Sequence, residues 1–377
     1  MKRIIIVYVL ICVVVFLGIE SIFSIDKQAD IVQGEEHETS EYVLELDYKD
    51  DFRILQLGDI HLGTKDNADE HFKILTMTIN DADADLIVIT GDILTYADKR
   101  TAKQLFDFID SFGIPWTCTF GNHDEQCLFS IDWLTDYLNN YGSNCKFIDI
   151  QGDNVFGNSN FAINLMEDNK VNYQILLMDS NRYYFGDYIG YDYIKQSQID
   201  WYERILYDTY KNNNKEIVNS ILFMHIPLPE FNIAWYAAGG EDALKAIEEN
   251  GGFRDENSKT GLEEHKDYSE FTKEFGTGNA VFEYGYSSPD SSAPKYNSGL
   301  FDEIKKMNST KAVIVSHDHT YNSRILYKGV YFVYGVNSTD RVIKDDNMIG
   351  GQVVVIHKDH SLTFDHIYHT YKELDNE

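Results

Sequence analysis

Eight side chains able to hold a metal ion or move a proton stand just after apolar runs: Asp59, His61, Asp92, Asn122, His123, His225, His317 and His319. Carboxylate, imidazole and one amide oxygen make a mixed oxygen and nitrogen donor set. Such a set suits Mn²⁺, Fe²⁺/Fe³⁺ or Zn²⁺, whereas Mg²⁺ and Ca²⁺ favour all-oxygen shells. The donors suffice for two ions if one carboxylate bridges. Two ions about 3.5–4 Å apart can clamp both the attacking and the leaving oxygen of an in-line phosphoryl displacement. Water between two dications is acidic enough to act as hydroxide near neutral pH. Taken singly, each motif is weak: Asp59 and His61 alone read equally well as a turn with a satisfied histidine. Their recurrence at the ends of apolar runs carries the argument.

The elements that must position these residues follow from hydrophobic pattern. Arg53 to Leu57 reads as a buried strand running into Gly58, and an extended chain there sends Asp59 and His61 to one side. Asp85 to Thr90 repeats the design and ends in Gly91-Asp92; Trp116 to Phe120 ends in Gly121-Asn122-His123-Asp124. Further strands are expected over Tyr173 to Ser180, over Ser220 to Pro227 (ending in His225 and stopped by the proline), over Lys311 to His319, and in the strand-rich tail around Val330 to Tyr334 and Gln352 to Ile356. Helical spacing appears over 66–80 (Phe72, Leu75, Ile79), at Leu105, Phe106, Ile109 and Phe112, and over 197–210. Strands alternating with helices predict a layered α/β domain with its functional groups on loops at the strands' C-terminal ends. The Gly-, Glu- and Tyr-rich stretch 235–297 is read as an insertion over the site.

Composition bounds the rest. The 377 residues are 43% hydrophobic and 14% aromatic, enough for a substantial core. The net charge of −30, from 62 acidic against 32 basic residues, argues against a nucleic-acid-binding surface. Lys2 and Arg3 precede an apolar run from Ile4 to Ile19, so residues 1–24 are expected to be a signal peptide or signal anchor, with the body secreted or membrane-anchored outside the cytosol. Sequons at Asn308 and Asn337 are compatible with that compartment. Residues 25–50 read as an acidic linker or edge segment, with an exposed His37, and 51–370 as the catalytic domain. Cys118, Cys127 and Cys145 allow at most one bridge, and no CxxC pair is present for a zinc ribbon.

The ordered set Gly58-Asp59-Ile60-His61, Gly91-Asp92, Gly121-Asn122-His123-Asp124, His225 and His317-Asp318-His319 resembles the calcineurin-like metallophosphoesterases. Gly190-Tyr191-Asp192-Tyr193-Ile194, His225-Ile226-Pro227-Leu228-Pro229-Glu230-Phe231, Asn297-Ser298-Gly299-Leu300-Phe301 and Ser316-His317-Asp318-His319-Thr320 look like the short, purple-acid-phosphatase-related branch. The resemblance implies a β-sandwich flanked by helices, with a first metal on Asp59, His61 and His319, a second on Asn122, His225 and His317, and Asp92 bridging. It makes His123 the phosphate-side stabiliser and general acid, with Asp124 orienting it and Asn122 and His123 meeting substrate. It also implies two divalent or mixed-valence ions and attack by a bridging hydroxide on a phosphate monoester; a phosphodiesterase acting on cyclic nucleotides or lipid headgroups would use the same residues. Two positions depart from the branch. Thr95 stands where purple enzymes carry the iron-binding tyrosine, and Ser316 where glycine is common, a change read as not touching coordination. Asp179 and Ser180 end a strand without matching a ligand position and read as a cap or turn. Arg182 reads as a structural arginine, and His357, His360, His366 and His369 as surface residues.

Overall fold

Alternation along the strands decides which of two apolar cores each side chain enters. The computed structural model describes residues 35–242, 245, 279–288, 291–339, 349–370 and 373. The expected leader at 1–24 and much of the 235–297 stretch lie outside the described residues. Among the described residues no helix is long and apolar enough to cross a membrane.

An eight-stranded sheet runs in the order β1 (Val43–Asp47), β5 (Phe161–Glu167), β6 (Lys170–Leu177), β9 (Asn219–Phe223), β11 (Thr310–Val315), β13 (Val330–Tyr334), β12 (Arg324–Tyr327), β10 (Ala280–Tyr284). Ile175, Leu177, Ile221, Phe223, Ala312 and Ile314 face a second sheet, while the intervening Leu176, Leu222, Val313 and Val315 enter the opposite core. The period-2 rule thus gives one strand two buried faces. That opposite core is closed by α4 (Gln196–Asn212), α5 (Glu230–Ala237) and α6 (Leu300–Met307), through Trp201, Ile205, Phe231, Leu300 and Ile304.

The second sheet has the order β15 (Leu362–His369), β14 (Ile349–Ile356), β2 (Phe52–Leu57), β3 (Leu86–Thr90), β4 (Trp116–Thr119). Its outer helices are α1 (Ala68–Ala82), α2 (Lys99–Asp110) and α3 (Ile131–Asn139); Leu75, Ile79, Leu105, Phe106, Ile109 and Leu134 join the same core. The architecture is therefore a four-layer α/β sandwich, as the pattern and the resemblance implied. A separate hairpin, β7 (Tyr183–Phe185) with β8 (Ile189–Tyr191), completes the described strands.

Several expectations need correction. Of the two readings of 25–50, its described part from residue 35 holds an edge segment: Leu44 and Leu46 alternate with Glu45 and Asp47, and β1 pairs in parallel with β5 at the sheet edge. Within 235–297, residues 280–284 form the opposite edge strand rather than loop, antiparallel to β12. Asn337 is only 2% exposed, which removes it as a glycan acceptor, whereas Asn308 is exposed at the end of α6. His369 is buried beside Asp81, not on the surface. The three cysteines Cys118, Cys127 and Cys145 are free thiols.

Candidate metal centre

β2, β3 and β4 run parallel, as do β9 and β11, so five strands deliver their C-terminal ends to one edge of the sandwich. The smaller sheet presents Asp59 and His61 after β2, Asp92 after β3, and Asn122 and His123 after β4. The larger presents His225 after β9 and His317 and His319 after β11. All eight sequence candidates therefore come to one place.

The local backbone is not the extended chain expected at Asp59 and His61. Asp59 (φ 54°), His61 (φ 50°), Asp92 (φ 47°) and His317 (φ 77°) are all left-handed. Non-glycine residues rarely occupy this region, Asp and His being among the better tolerated, and sparsely populated backbone costs on the order of 1–3 kcal/mol per residue. Cross-strand bonds hold it: Asp59 N donates to Gly91 O (3.2 Å) and His61 N to Asp92 O (2.9 Å). His317 N donates to Asp59 Oδ2 (3.2 Å). Gly121 is packed closely against the centre: a Cβ there would press on Asp92 and come within 2.8 Å of His225 Cδ2. Gly121→Ala is expected to destabilise the fold by about 1–3 kcal/mol, the usual cost of overpacking, read as a lowered denaturant midpoint.

Donor atoms of Asp59, His61, Asp92 and His319 lie within 4.8 Å of one another, and so do those of Asp92, His225 and His317. Asp92 belongs to both groups: its Oδ2 is 3.6 Å from His61 Nε2 and 3.1 Å from His225 Nε2. Asn122 Oδ1 joins the second group, 3.2 Å from His225 Nε2. Imidazole nitrogens face one another in pairs, His61 Nε2 with His319 Nε2 at 3.1 Å and His317 Nδ1 with His225 Nε2 at 3.2 Å. Facing lone pairs repel unless a proton or a cation lies between them. His317 Nε2 is buried without a hydrogen-bond partner among the described residues.

Charge tells the same story. Burial pushes the Asp59 and Asp92 carboxyls up, but the surrounding histidines (His319 and His225 for Asp59; His225, His61 and His123 for Asp92) outweigh it and hold both below the ordinary carboxylate value. For His225 burial acts downward, and the charges of Asp92 and Asp59 lift it to about 9. His317 falls to about 3 through burial and the neighbouring His225. Two buried carboxylates among imidazoles form a cavity suited to cations.

Partners behind the donors fix which nitrogen looks inward. His225 Nδ1 meets the Thr90 carbonyl at 2.8 Å, which accepts only, so Nδ1 keeps its hydrogen and Nε2, facing Asp92 and Asn122, is the nitrogen that would give up its proton to a cation. Ser316 Oγ lies 3.1 Å from the same Nδ1, on the side of the ring away from the donor nitrogen. Thr95 Oγ1 sits 2.7 Å from His61 Nδ1. Tyr96, one residue on, is 66% exposed and offers no phenolate to this centre. Thr95→Val is expected to weaken metal binding on the His61 side by about 10–100-fold, measurable by competition with a chelator.

The family model for calcineurin-like phosphoesterases matches residues 52–321. The chain belongs to this family. It is a metallophosphoesterase, a class of hydrolases that binds dinuclear metals, and the donor set above fits such a pair. Curated relatives include probable inactive purple acid phosphatase 29 of Arabidopsis thaliana, 26% identical over 76% of this metallophosphoesterase and 71% of that protein. Probable inactive purple acid phosphatase 28 of the same plant is 24% identical over 78% and 72%. Among solved structures, a dimetal phosphatase from Danio rerio shares the fold at a TM-score of 0.50 and 12% identity, covering 86% of this chain and 100% of that one.

The role expected of Asp124 needs correction. Its two oxygens accept from Leu94 N (2.9 Å) and Gly121 N (2.8 Å), and burial with the charge of Asp92 pushes its carboxyl up to about 7. It holds the loop. The group that meets the His123 ring is Gln126, whose Oε1 lies 3.0 Å from Nδ1. Sequence reasoning passed over Gln126, three residues along in a short turn. It also passed over Tyr183, whose hydroxyl accepts from Asn122 Nδ2 at 2.9 Å and turns Oδ1 toward His225. Asp179 accepts from Asn158 N (2.7 Å) and Asn181 N (2.8 Å), the turn role expected of it. Arg182 pairs with Glu125 at 2.8 Å, as a structural arginine should.

Proposed function

We propose that this metallophosphoesterase hydrolyses phosphate monoesters by in-line displacement of the leaving group by water. The observation that carries the reading is the carboxylate of Asp92 shared between two donor groups. Asp59, His61, His319 and Asp92 would hold one ion, and Asp92, Asn122, His225 and His317 the other, each Mn, Fe or Zn. Bound there, two such ions supply an acidified water and neutralise charge on the phosphoryl oxygens.

The chain's own residues do the remainder. His123 N donates to Asp92 Oδ1 (2.7 Å), which sets the loop carrying the imidazole beside the bridging carboxylate. The His123 and His61 rings meet edge to face with centroids 5.0 Å apart, so His123 stands at the rim of the donor cluster and belongs to neither donor group. Gln126 Oε1 can only accept, so His123 Nδ1 keeps its hydrogen and Nε2 is the nitrogen left to give a proton to the departing alkoxide.

A non-catalytic binder is the rival, favoured by the word "inactive" in the names of the two Arabidopsis relatives. Against it, the donor set here is complete and converges with His123. The test is elemental analysis of the purified protein with turnover on a panel of phosphate mono- and diesters. Two transition-metal ions per chain with monoester turnover is the expected result. Diester turnover alone would move the assignment to a phosphodiesterase. No turnover after adding back Mn²⁺, Fe²⁺ and Zn²⁺ would make the site a binding module.

A further inference from the structure

The hairpin β7–β8 stands against the metal centre without supplying a donor. Its register places Tyr183 opposite Tyr191 and Phe185 opposite Ile189. Directly opposed residues share a face, and residues two apart on a strand share it too, so these four side chains form one strip while Tyr184 and Tyr188 turn the other way. The inner end of the strip is fastened to the site. Tyr183 OH accepts from Asn122 Nδ2 at 2.9 Å, and the Tyr191 ring stands edge-on to His317 with centroids 4.5 Å apart. The outer end is bare: Phe185 is 56% and Ile189 82% exposed.

Two more exposed large apolar side chains follow site residues in the chain, while Tyr207, Ile217, Ile233 and Tyr236 are exposed on or after α4 and on α5. Tyr96 follows the Thr95 that touches His61, and Leu128, 73% exposed, ends the loop that carries His123 and Gln126. Exposed apolar surface beside a polar site signals a ligand with apolar body and polar head. The cations nearest the hairpin do not face the strip. Lys295 lies over the Tyr188 and Tyr296 rings, Lys195 over Tyr193 and Tyr184, and Arg182 is paired with Glu125. Among the described residues these three cations are engaged elsewhere, so the strip itself offers a leaving group apolar contact rather than compensating charge.

We infer that the strip Tyr183, Tyr191, Phe185 and Ile189 is the leaving-group surface, and that it selects phosphate esters of uncharged aromatic alcohols. Two residues along a strand span roughly 6.6–6.8 Å, so a ring system joined to a phosphate at the metal centre passes Tyr183 and Tyr191 and reaches Phe185 and Ile189. Aromatic faces favour offset or edge-on contact with such a ring. The inference rests on the hydrolytic reading above, and its test separates the two.

Hydrolysis of 1-naphthyl phosphate and of glycerol phosphate is measured for the Mn²⁺-loaded full chain and for Phe185→Ser/Ile189→Ser. Calorimetric binding of 1-naphthylphosphonate and methylphosphonate is measured alongside. Both residues are exposed at a hairpin tip, so the fold should survive; Ile233→Ser, exposed on α5, is the control. In the wild type the naphthyl compound is preferred in both assays, and in the double variant that preference falls about tenfold. A naphthyl preference that is absent in the wild type, or that moves by less than about twofold in the variant, overturns the inference. Failure of both phosphonates to bind overturns it as well. Loss of the binding preference in a protein that hydrolyses neither ester would sustain the strip as the surface that recognises the aryl group and sink the hydrolytic reading.

Discussion

Asp92→Asn is expected to empty both metal positions together and to lower turnover by roughly 10³-fold or more, the loss of both charge clamps at once. The Asp92 Oδ2 oxygen lies between His61 Nε2 (3.6 Å) and His225 Nε2 (3.1 Å), so it is common to two donor groups that otherwise share nothing. Asparagine keeps the shape and one oxygen, enough for the bond that His123 N makes to Oδ1. It cannot keep the negative charge or the Oδ2 oxygen that faces both groups. Single replacements at His61 or His225 should instead empty one position more than the other. Metal content by elemental analysis and turnover with a monoester check this, with a thermal melt to show that the variant folds. A variant with two ions and near-normal turnover would remove Asp92 from the bridging role.

The parts of this site legible in the sequence are those that chain-local pattern controls. Apolar runs ending in a donor, with glycine just before it at Asp59, Asp92 and Asn122, predicted where these three, His225 and His317 stand, because a buried strand must be apolar and its C-terminal loop is where polar groups escape. What escaped depends on contacts between distant segments. The left-handed backbone at Asp59 and His61 exists because Gly91 and Asp92 of the neighbouring strand accept their N–H groups, and no periodicity encodes that. Thr95 and Tyr183 are ordinary residues until the fold sets one behind His61 and the other behind Asn122. Asp124 drew attention as a charged neighbour of His123, yet its carboxylate is spent on two backbone N–H groups. Gln126, which carries no charge, meets the ring instead. The edge strand β10 was missed, and β1 left open between linker and edge segment, for a related reason. An edge strand buries less than a central one, so the acidic alternation of Leu44-Glu45-Leu46-Asp47 looks like linker until its partner β5 is known.

His123→Ala should cut turnover by roughly 10²–10⁴ while leaving both ions in place. The imidazole lies outside both donor groups, so its removal takes no ligand from either. Its ring stands 5.0 Å from the His61 ring, and Nδ1 is held by Gln126 at 3.0 Å. This geometry distinguishes a proton donor from a mere electrostatic clamp. An alkoxide leaving as glycerol needs its proton in the transition state, whereas a nitrophenolate, already stable as an anion, does not. If His123 donates that proton, the variant's deficit should be large on glycerol phosphate and shrink on 4-nitrophenyl phosphate. An equal deficit on both esters would assign His123 to charge stabilisation of the phosphoryl group alone. Loss of both ions in the variant would make it a ligand, and the donor assignment would have to be redrawn around it. Gln126→Ala extends the same logic one bond outward: with Nδ1 released and the ring free to turn, turnover of glycerol phosphate should fall more than that of 4-nitrophenyl phosphate while metal content stays at the wild-type level.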